Sequence, residues 1–309
     1  MDKANFMSYL FVQITKMAFK SGYVNIIGRP NAGKSTLMNA LIGERLSIIT
    51  PKAQTTRHRI IGILNGPEFQ IVFSDTPGII KNPAYKLQES MNNFIEGTFQ
   101  DADIFLYIAD IQQEPTEDEI PEQVKDSSIP LLLVINKIDT SSQPILMKRL
   151  EQWKALLPNC ETIPISATLN FNLDTLRSRI LHHLPEGPMY FEPDALTDRT
   201  ERFFCTEILR EKILLNYQKE IPYSVEVAIE DFKDEPNIVK IQSVIFVARE
   251  SQKGIIIGHQ GLMLKKVSTE SRLAMESFLG KKVFLGVQVK VIKDWRDNER
   301  QLKRFGYIN

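Results

Sequence analysis

The stretch that narrows the choice of fold most is "YVNIIGRPNAGKST", residues 23–36. A short β-rich apolar run, Tyr23 to Gly28, leads into a glycine-bearing loop and then into the helical pattern "LMNALIG". This is G-x-x-x-x-G-K-[ST] in a strand–loop–helix setting. Gly28 and Gly33 allow backbone N–H groups to turn inward around phosphate oxygens. Lys34 brings a charge to the β- and γ-phosphates, the Ser35 hydroxyl suits Mg²⁺, and the helix N-terminus adds positive potential. Arg29, Pro30, Asn31, Ala32 and Thr36 complete the expected cradle. A strand that delivers such a loop implies an α/β sheet with its ligand at the carboxyl ends of the strands.

The loop does not choose the base; "INKID" does. Asn136, Lys137 and Asp139 follow the apolar strand "IPLLLVI". A carboxylate at Asp139 can accept from both the ring N–H and the exocyclic amine of guanine, a donor pair that adenine lacks. The Lys137 stem can lie along the base plane, and Asn136 can brace the loop. Backbone N–H groups of Ser166 and Ala167, in "PISA", are expected to reach the guanine O6. The strand Phe69 to Phe73 should carry Asp75 to the Mg²⁺ shell through water, and the Gly78 N–H should touch the γ-phosphate and sense its loss. Between these motifs lies "PKAQTTRHR", residues 51–59. A threonine there should complete the shell while GTP is bound, and Thr56 is chosen over Thr55. The expected metal set is therefore Ser35, Thr56 and Asp75.

In Ras-like enzymes the residue after the DTPG glycine is a glutamine that orients the attacking water. Here it is Ile79. Phosphoryl transfer needs positioning and charge neutralisation more than a base, so Ile79 does not exclude hydrolysis. The sequence resembles a class of GTPases with an apolar residue at this point. Its candidate catalytic residues are Asn31, Lys34 and Gly78. Asn31 sits where related potassium-using GTPases place a K⁺ ligand, which would stand in for an arginine finger. Unchanged turnover on exchange of K⁺ for Na⁺ would remove that role.

A chain of 309 residues suggests two domains. Apolar strands alternate with amphipathic helices such as Leu146 to Leu157, which predicts a doubly wound, mainly parallel sheet over residues 20–182. Residues 1–19, "MDKANFMSYLFVQITKMAF", are read as a disordered leader, or as an upstream start with initiation at Met7 or Met17. Pro185, Pro188 and Pro193 mark residues 183–200 as an extended linker. No apolar run approaches the ~18 residues of a membrane span. The two cysteines and four histidines show no disulfide or metal spacing.

Residues 201–309 form the second unit. Net charge is zero overall, yet residues 251–309 hold 12 Lys and Arg against five acids. That bias suggests a polyanion partner. A helix, Glu201 to Gln218, precedes two alternating strands within residues 223–249. Then "GIIIGHQGLMLKKV" joins two helices through Gly258-His259-Gln260-Gly261, and a strand within residues 281–292 follows. The order α-β-β-α-α-β around a GxxG turn resembles the type II form of the KH domain, whose glycine turn clamps single-stranded RNA. Lys265 and Lys266 would add charge beside it.

With both halves read, the sequence resembles the Era family of bacterial GTPases from about Lys20 onward. The resemblance rests on "GRPNAGKST", "KAQTTRHR", "DTPG", "NKID", "SA" and "IIIGHQG" in that order. It implies a slowly hydrolysing GTP/GDP switch with Mg²⁺ that serves small ribosomal subunit assembly. It further implies binding of the 3′ end of small-subunit rRNA and loose contact with the inner membrane; a cytoplasmic monomer is expected. The rival readings are a constitutive RNA binder with a merely structural nucleotide site, a GTPase serving tRNA modification, and a P-loop ATPase. Phosphate release separates the first, a missing catalytic domain argues against the second, and GTP-against-ATP competition settles the third.

Overall fold

A computed structural model describes residues 19–116 and 120–308. Apart from Phe19, the leader lies outside them. The first unit is a six-stranded sheet in the order β2-β3-β1-β4-β5-β6. Its strands are β1 (Lys20–Gly28), β2 (Ile60–Gly66), β3 (Phe69–Asp75), β4 (Ile104–Asp110), β5 (Leu131–Asn136) and β6 (Glu161–Pro164). Only β2 runs antiparallel, against β3. Strands buried on both faces need unbroken apolar runs, and β4 is buried along its whole length.

Helices cover both faces. On one, Leu37, Met38 and Leu41 of α1 (Lys34–Ile42) pack beside Leu173, Leu176 and Ile180 of α5 (Leu173–His183). On the other, Val124 of α3 (Glu122–Lys125) and Trp153 of α4 (Gln143–Leu156) cover Phe105, Tyr107 and Leu133. Helix α2 (Lys86–Gln100) follows the DTPG segment. Because β1 pairs with β3 on one side and β4 on the other, the crevice opens beyond its carboxyl end.

The second unit holds α6 (Glu201–Asn216), a short α7 (Ile221–Ser224), β7 (Glu226–Asp234), β8 (Ile238–Val247), α8 (Glu250–Ile257), α9 (Leu262–Leu279), β9 (Lys282–Val291) and α10 (Glu299–Arg304). Strands β7 and β8 form an antiparallel pair with a bulge near Ile229, and β9 lies parallel to β8. A parallel partner requires a crossover, which α8 and α9 supply. The expected order is observed, with α7 inserted and α10 appended. Gly280, at φ 65, ends α9 as a left-handed cap.

The segment between the units is not a loose tether. Helix α5 runs on to His183, and the chain then straps the outer edge of the sheet. Ile63 N–H donates to Leu196 O (2.8 Å), Thr197 Oγ1 to Ile61 O (2.6 Å) and Asn65 Nδ2 to Ala195 O (3.0 Å). The strap thus satisfies backbone groups that an edge strand would leave open. A further apolar cluster joins the units: Leu87 and Met91 of α2 meet Ala248, Trp295, Leu302 and Tyr307. No helix among the described residues is long and apolar enough to cross a membrane.

Candidate nucleotide site and its junction with the glycine turn

The loop after β1 turns on glycine. Gly33 has φ 102, and a Cβ there would stand 2.2 Å from Asn136 Nδ2. Asn136 therefore fits under the loop only because residue 33 is bare. Its amide donates to Ala32 O (3.0 Å) and its Oδ1 accepts from Ala167 N–H (3.0 Å). One buried side chain thus ties the phosphate loop to the Ser166–Ala167 loop. Both amides expected to meet guanine O6 already have acceptors: Ala167 uses Asn136, and Ser166 N–H donates to Phe171 O (3.3 Å). Those hydrogens here brace the loop onto β5, which places Ser166 and Ala167 beside Asn136.

A cleft of about 440 Å³ opens above the loop. Lys34, Ser35, Thr56, Gly78 and Lys137 stand on its wall, as do Pro30, Asn31 and Thr36. Asp75 and Asn136 are buried behind the wall. Asp139 is exposed on the three-residue turn Ile138–Thr140 that leaves it. Lys137 takes a left-handed φ of 64 and reaches back to Asp110 Oδ2 and Asn31 O, each at 2.7 Å. Asp110 was missed in the sequence; its place at the carboxyl end of β4 was the available signal. The Arg29 side chain points elsewhere, donating to Gln113 Oε1 (3.5 Å) and Thr116 Oγ1 (3.0 Å). Asn31 donates to Pro51 O (3.2 Å) across the mouth of the cleft.

Lys34 Nζ donates to Gly28 O (2.9 Å) and Arg29 O (3.0 Å). Burial draws its pKa down to about 8, with Asp75 pulling the other way. Such a desolvated ammonium gains most from an incoming polyanion. Ser35 Oγ lies 2.6 Å from Asp75 Oδ2 and 2.9 Å from Thr56 Oγ1. Asp75 Oδ1 is buried with no hydrogen-bond partner among the described residues, and burial raises the carboxyl pKa despite the Ser35 bond. Two hydroxyls and a carboxylate with an unpaired oxygen are a hard-oxygen donor set that fits Mg²⁺. Thr55 is not part of it; its hydroxyl meets Thr50 Oγ1 and Lys52 O, each at 2.6 Å.

The loop that carries Thr56 is gripped from the other side by the second unit. Arg57 is wholly buried, donating to Pro222 O (2.9 Å), Val225 O (2.7 Å) and Glu226 Oε2 (3.1 Å). Tyr307 hydroxyl donates to the same Glu226 oxygen (2.7 Å). Burial pushes the Glu226 carboxyl up, while Arg57 and Tyr307 hold it down. Arg210 donates to Thr55 O (2.5 Å) and pairs with Glu207. The Lys52 ammonium rests on the carbonyls of Leu214 and Tyr217 at the end of α6. None of these partners was picked out from the sequence; the contacts that cross from the loop to the second unit join residues more than 150 positions apart.

Gly258, His259, Gln260 and Gly261 form the turn between α8 and α9, and none lines the cleft. Gly258 and Gly261 have φ 71 and 76. His259, Gln260, Lys265 and Lys266 are exposed. Cys205 is fully buried and Cys160 partly so, and burial raises the Cys160 and Cys205 thiols to about 11 and 12.

Comparison with known proteins agrees with this geometry. Residues 23–137 match the 50S ribosome-binding GTPase family and residues 220–296 the KH domain family. GTPase Era of Syntrophus aciditrophicus is 44% identical over 293 residues, spanning 94% of this chain and 95% of that protein. Chloroplastic GTPase ERA1 of Zea mays is 45% identical, over 93% of this chain and 70% of its own. A crystal structure of Era in complex with MgGDPNP and nucleotides 1506–1542 of 16S ribosomal RNA superposes with a TM-score of 0.90 at 38% identity, covering 94% of this chain and 100% of that one. A point variant of Aquifex aeolicus Era bound to GDP·AlF4⁻ matches with the same score, identity and coverage. With a phosphate loop, a guanine motif, a magnesium donor set and a KH turn in one chain, and relatives matched nearly end to end, the chain belongs to the Era family of GTPases.

Proposed function

We propose that this GTPase is a timed RNA clamp, in which residues 20–182 bind and hydrolyse GTP, 183–200 link, and 201–309 hold RNA. Lys34 and the loop amides grip the phosphates, Asp139 selects guanine, and the Gly78 N–H contacts the γ-phosphate. Ser35, Thr56 and Asp75 would hold Mg²⁺, which when bound neutralises charge on the phosphates. The Ser166–Ala167 backbone, tied to the phosphate loop through Asn136, meets the guanine O6. The GxxG turn, with Lys265 and Lys266, takes the RNA backbone. By likeness to Era in its complex with 16S nucleotides, the partner is the 3′ end of small-subunit rRNA and the process is assembly of that subunit in the cytoplasm. The resemblance adds peripheral contact with the inner membrane.

The observation that carries the reading is the adjacency of Thr56 and Arg57. One faces Ser35 and Asp75; the other is sealed into the entrance of β7. Loss of the γ-phosphate releases Thr56, and Arg57 passes the change to the RNA-holding unit. Coupling is reciprocal, so RNA favours the GTP state. The test is affinity for an oligonucleotide of the small-subunit rRNA 3′ end, measured with a GTP analogue and with GDP. A ratio of about 5- to 150-fold in favour of the analogue is expected; equal affinities would end the timer reading.

A further inference from the structure

Ile79 leaves open which polar group aims the hydrolytic water. The cleft wall offers few side chains with an amide or ammonium, and most are already committed. Asn31 donates to Pro51 O, Lys34 to Gly28 O and Arg29 O, Lys52 to carbonyls of α6, and Lys137 to Asp110. Gln54 is different. It lines the same cleft, two residues before Thr56, on a left-handed backbone with φ 58. Left-handed backbone at a residue with a long side chain is uncommon and costs free energy, which concentrates it at working sites. Among the described residues, the one hydrogen bond of its side chain is a long contact, 3.5 Å, from the Tyr85 hydroxyl to Oε1. Tyr85 stands at the start of α2, just past the DTPG segment. The Arg296 guanidinium lies over its ring at 4.3 Å. Gln54 is therefore a weakly engaged carboxamide, steadied by a tyrosine from the second phosphate-sensing segment, which an arginine of the RNA-holding unit clamps in turn.

We propose that Gln54 is a catalytic residue of GTP hydrolysis and that its carboxamide orients the attacking water. This rests on the reading of Lys34, Ser35, Thr56 and Gly78 as the phosphate end of the cleft. The water oxygen bonds to the γ-phosphorus as the bond to the β–γ bridging oxygen breaks. The bonding pair leaves on GDP, and the water proton ends on the released phosphate. Gln54 Oε1 accepts a hydrogen bond from that water and fixes its approach; no group on Gln54 is consumed. Tyr85 is a positioning residue, holding Gln54 rather than touching the water.

The test compares wild type, Gln54→Met, Gln54→Glu and Tyr85→Phe in full-length protein. Three quantities are read: single-turnover hydrolysis, affinity for fluorescent GDP and a non-hydrolysable GTP analogue, and AlF4⁻-dependent trapping of fluorescent GDP. Gln54→Met keeps length and removes the polar end. Its hydrolysis should fall ~100-fold, as expected for loss of a group that positions a proton-transferring water. Nucleotide affinity should stay within about threefold, and AlF4⁻ trapping should be lost, since only the transition-state geometry uses the water. Gln54→Glu, which keeps an acceptor, should recover part of the rate. Tyr85→Phe should give a smaller fall with affinity intact. Wild-type hydrolysis and trapping in Gln54→Met would overturn the inference. So would an equal loss of GDP and analogue affinity, which would make Gln54 a structural loop residue. Failure of wild type to bind either nucleotide would instead overturn the reading of the cleft itself.

Discussion

Asp139 stands exposed on its turn while Lys137 folds back to Asp110, and the proposed reading gives base choice to the Asp139 carboxylate. Guanine presents two donors to it; xanthine presents one donor and one carbonyl. Asp139→Asn should lower GTP affinity ~100-fold or more and improve xanthosine triphosphate binding, because a polar site penalises an unmatched partner. Competition titration with both nucleotides reads this directly. Thr55 and Thr56 illustrate what a residue's neighbours decide. They are identical in type and adjacent, and local pattern favoured Thr56 only weakly. The backbone turns Thr56 toward Ser35 and Asp75, and leaves Thr55 on Thr50 and Lys52. The Ser166 and Ala167 amides show the same dependence: a motif states which donors exist, and the fold sets which acceptor lies near, Asn136 Oδ1 for Ala167.

At the level of elements, strands and helices were legible because their periods are local. The apolar runs of β4 and β5 and the left-handed Gly280 that ends α9 follow from sequence pattern alone. The strap was legible only as a run of prolines; its pairing to the outer strand depends on Leu196 and Ile63 meeting across the fold. The GxxG turn was legible in both position and geometry. Its basic flank makes a further expectation measurable. Each phosphate-paired lysine adds about 0.7 to the salt slope of single-strand binding, so replacing Lys265 and Lys266 together by Gln should reduce the slope by ~1.4. Titration of an RNA oligonucleotide across a salt series checks it. An unchanged slope would place the RNA away from the start of α9.

Across the whole molecule, the junction is held by a buried ion pair between Arg57 and Glu226, with Tyr307 completing the carboxylate's hydrogen bonds. Removing one member leaves the other buried and unpaired. Arg57→Met should therefore cost about 3–5 kcal/mol. The double variant Arg57→Met with Glu226→Gln should recover part of that loss. Denaturant titration followed by tryptophan fluorescence suits the measurement, because Trp295 donates to Ser224 O two residues before Glu226. The same pair makes the junction responsive: the loop that carries Thr56 cannot move far without withdrawing Arg57 from its acceptors.

From its residues alone the chain offered a phosphate-loop pattern, an NKxD motif, a DTPG segment and a GxxG turn between two helices. Each of these is a contiguous stretch whose chemistry depends on spacing along the backbone. The fold alone decided which threonine faces Ser35 and Asp75, which acceptor lies beside the Ala167 amide, and that Arg57 is sealed into the second unit 169 positions away. Such partnerships depend on which surfaces come together when two cores close on each other, and no local period encodes that meeting.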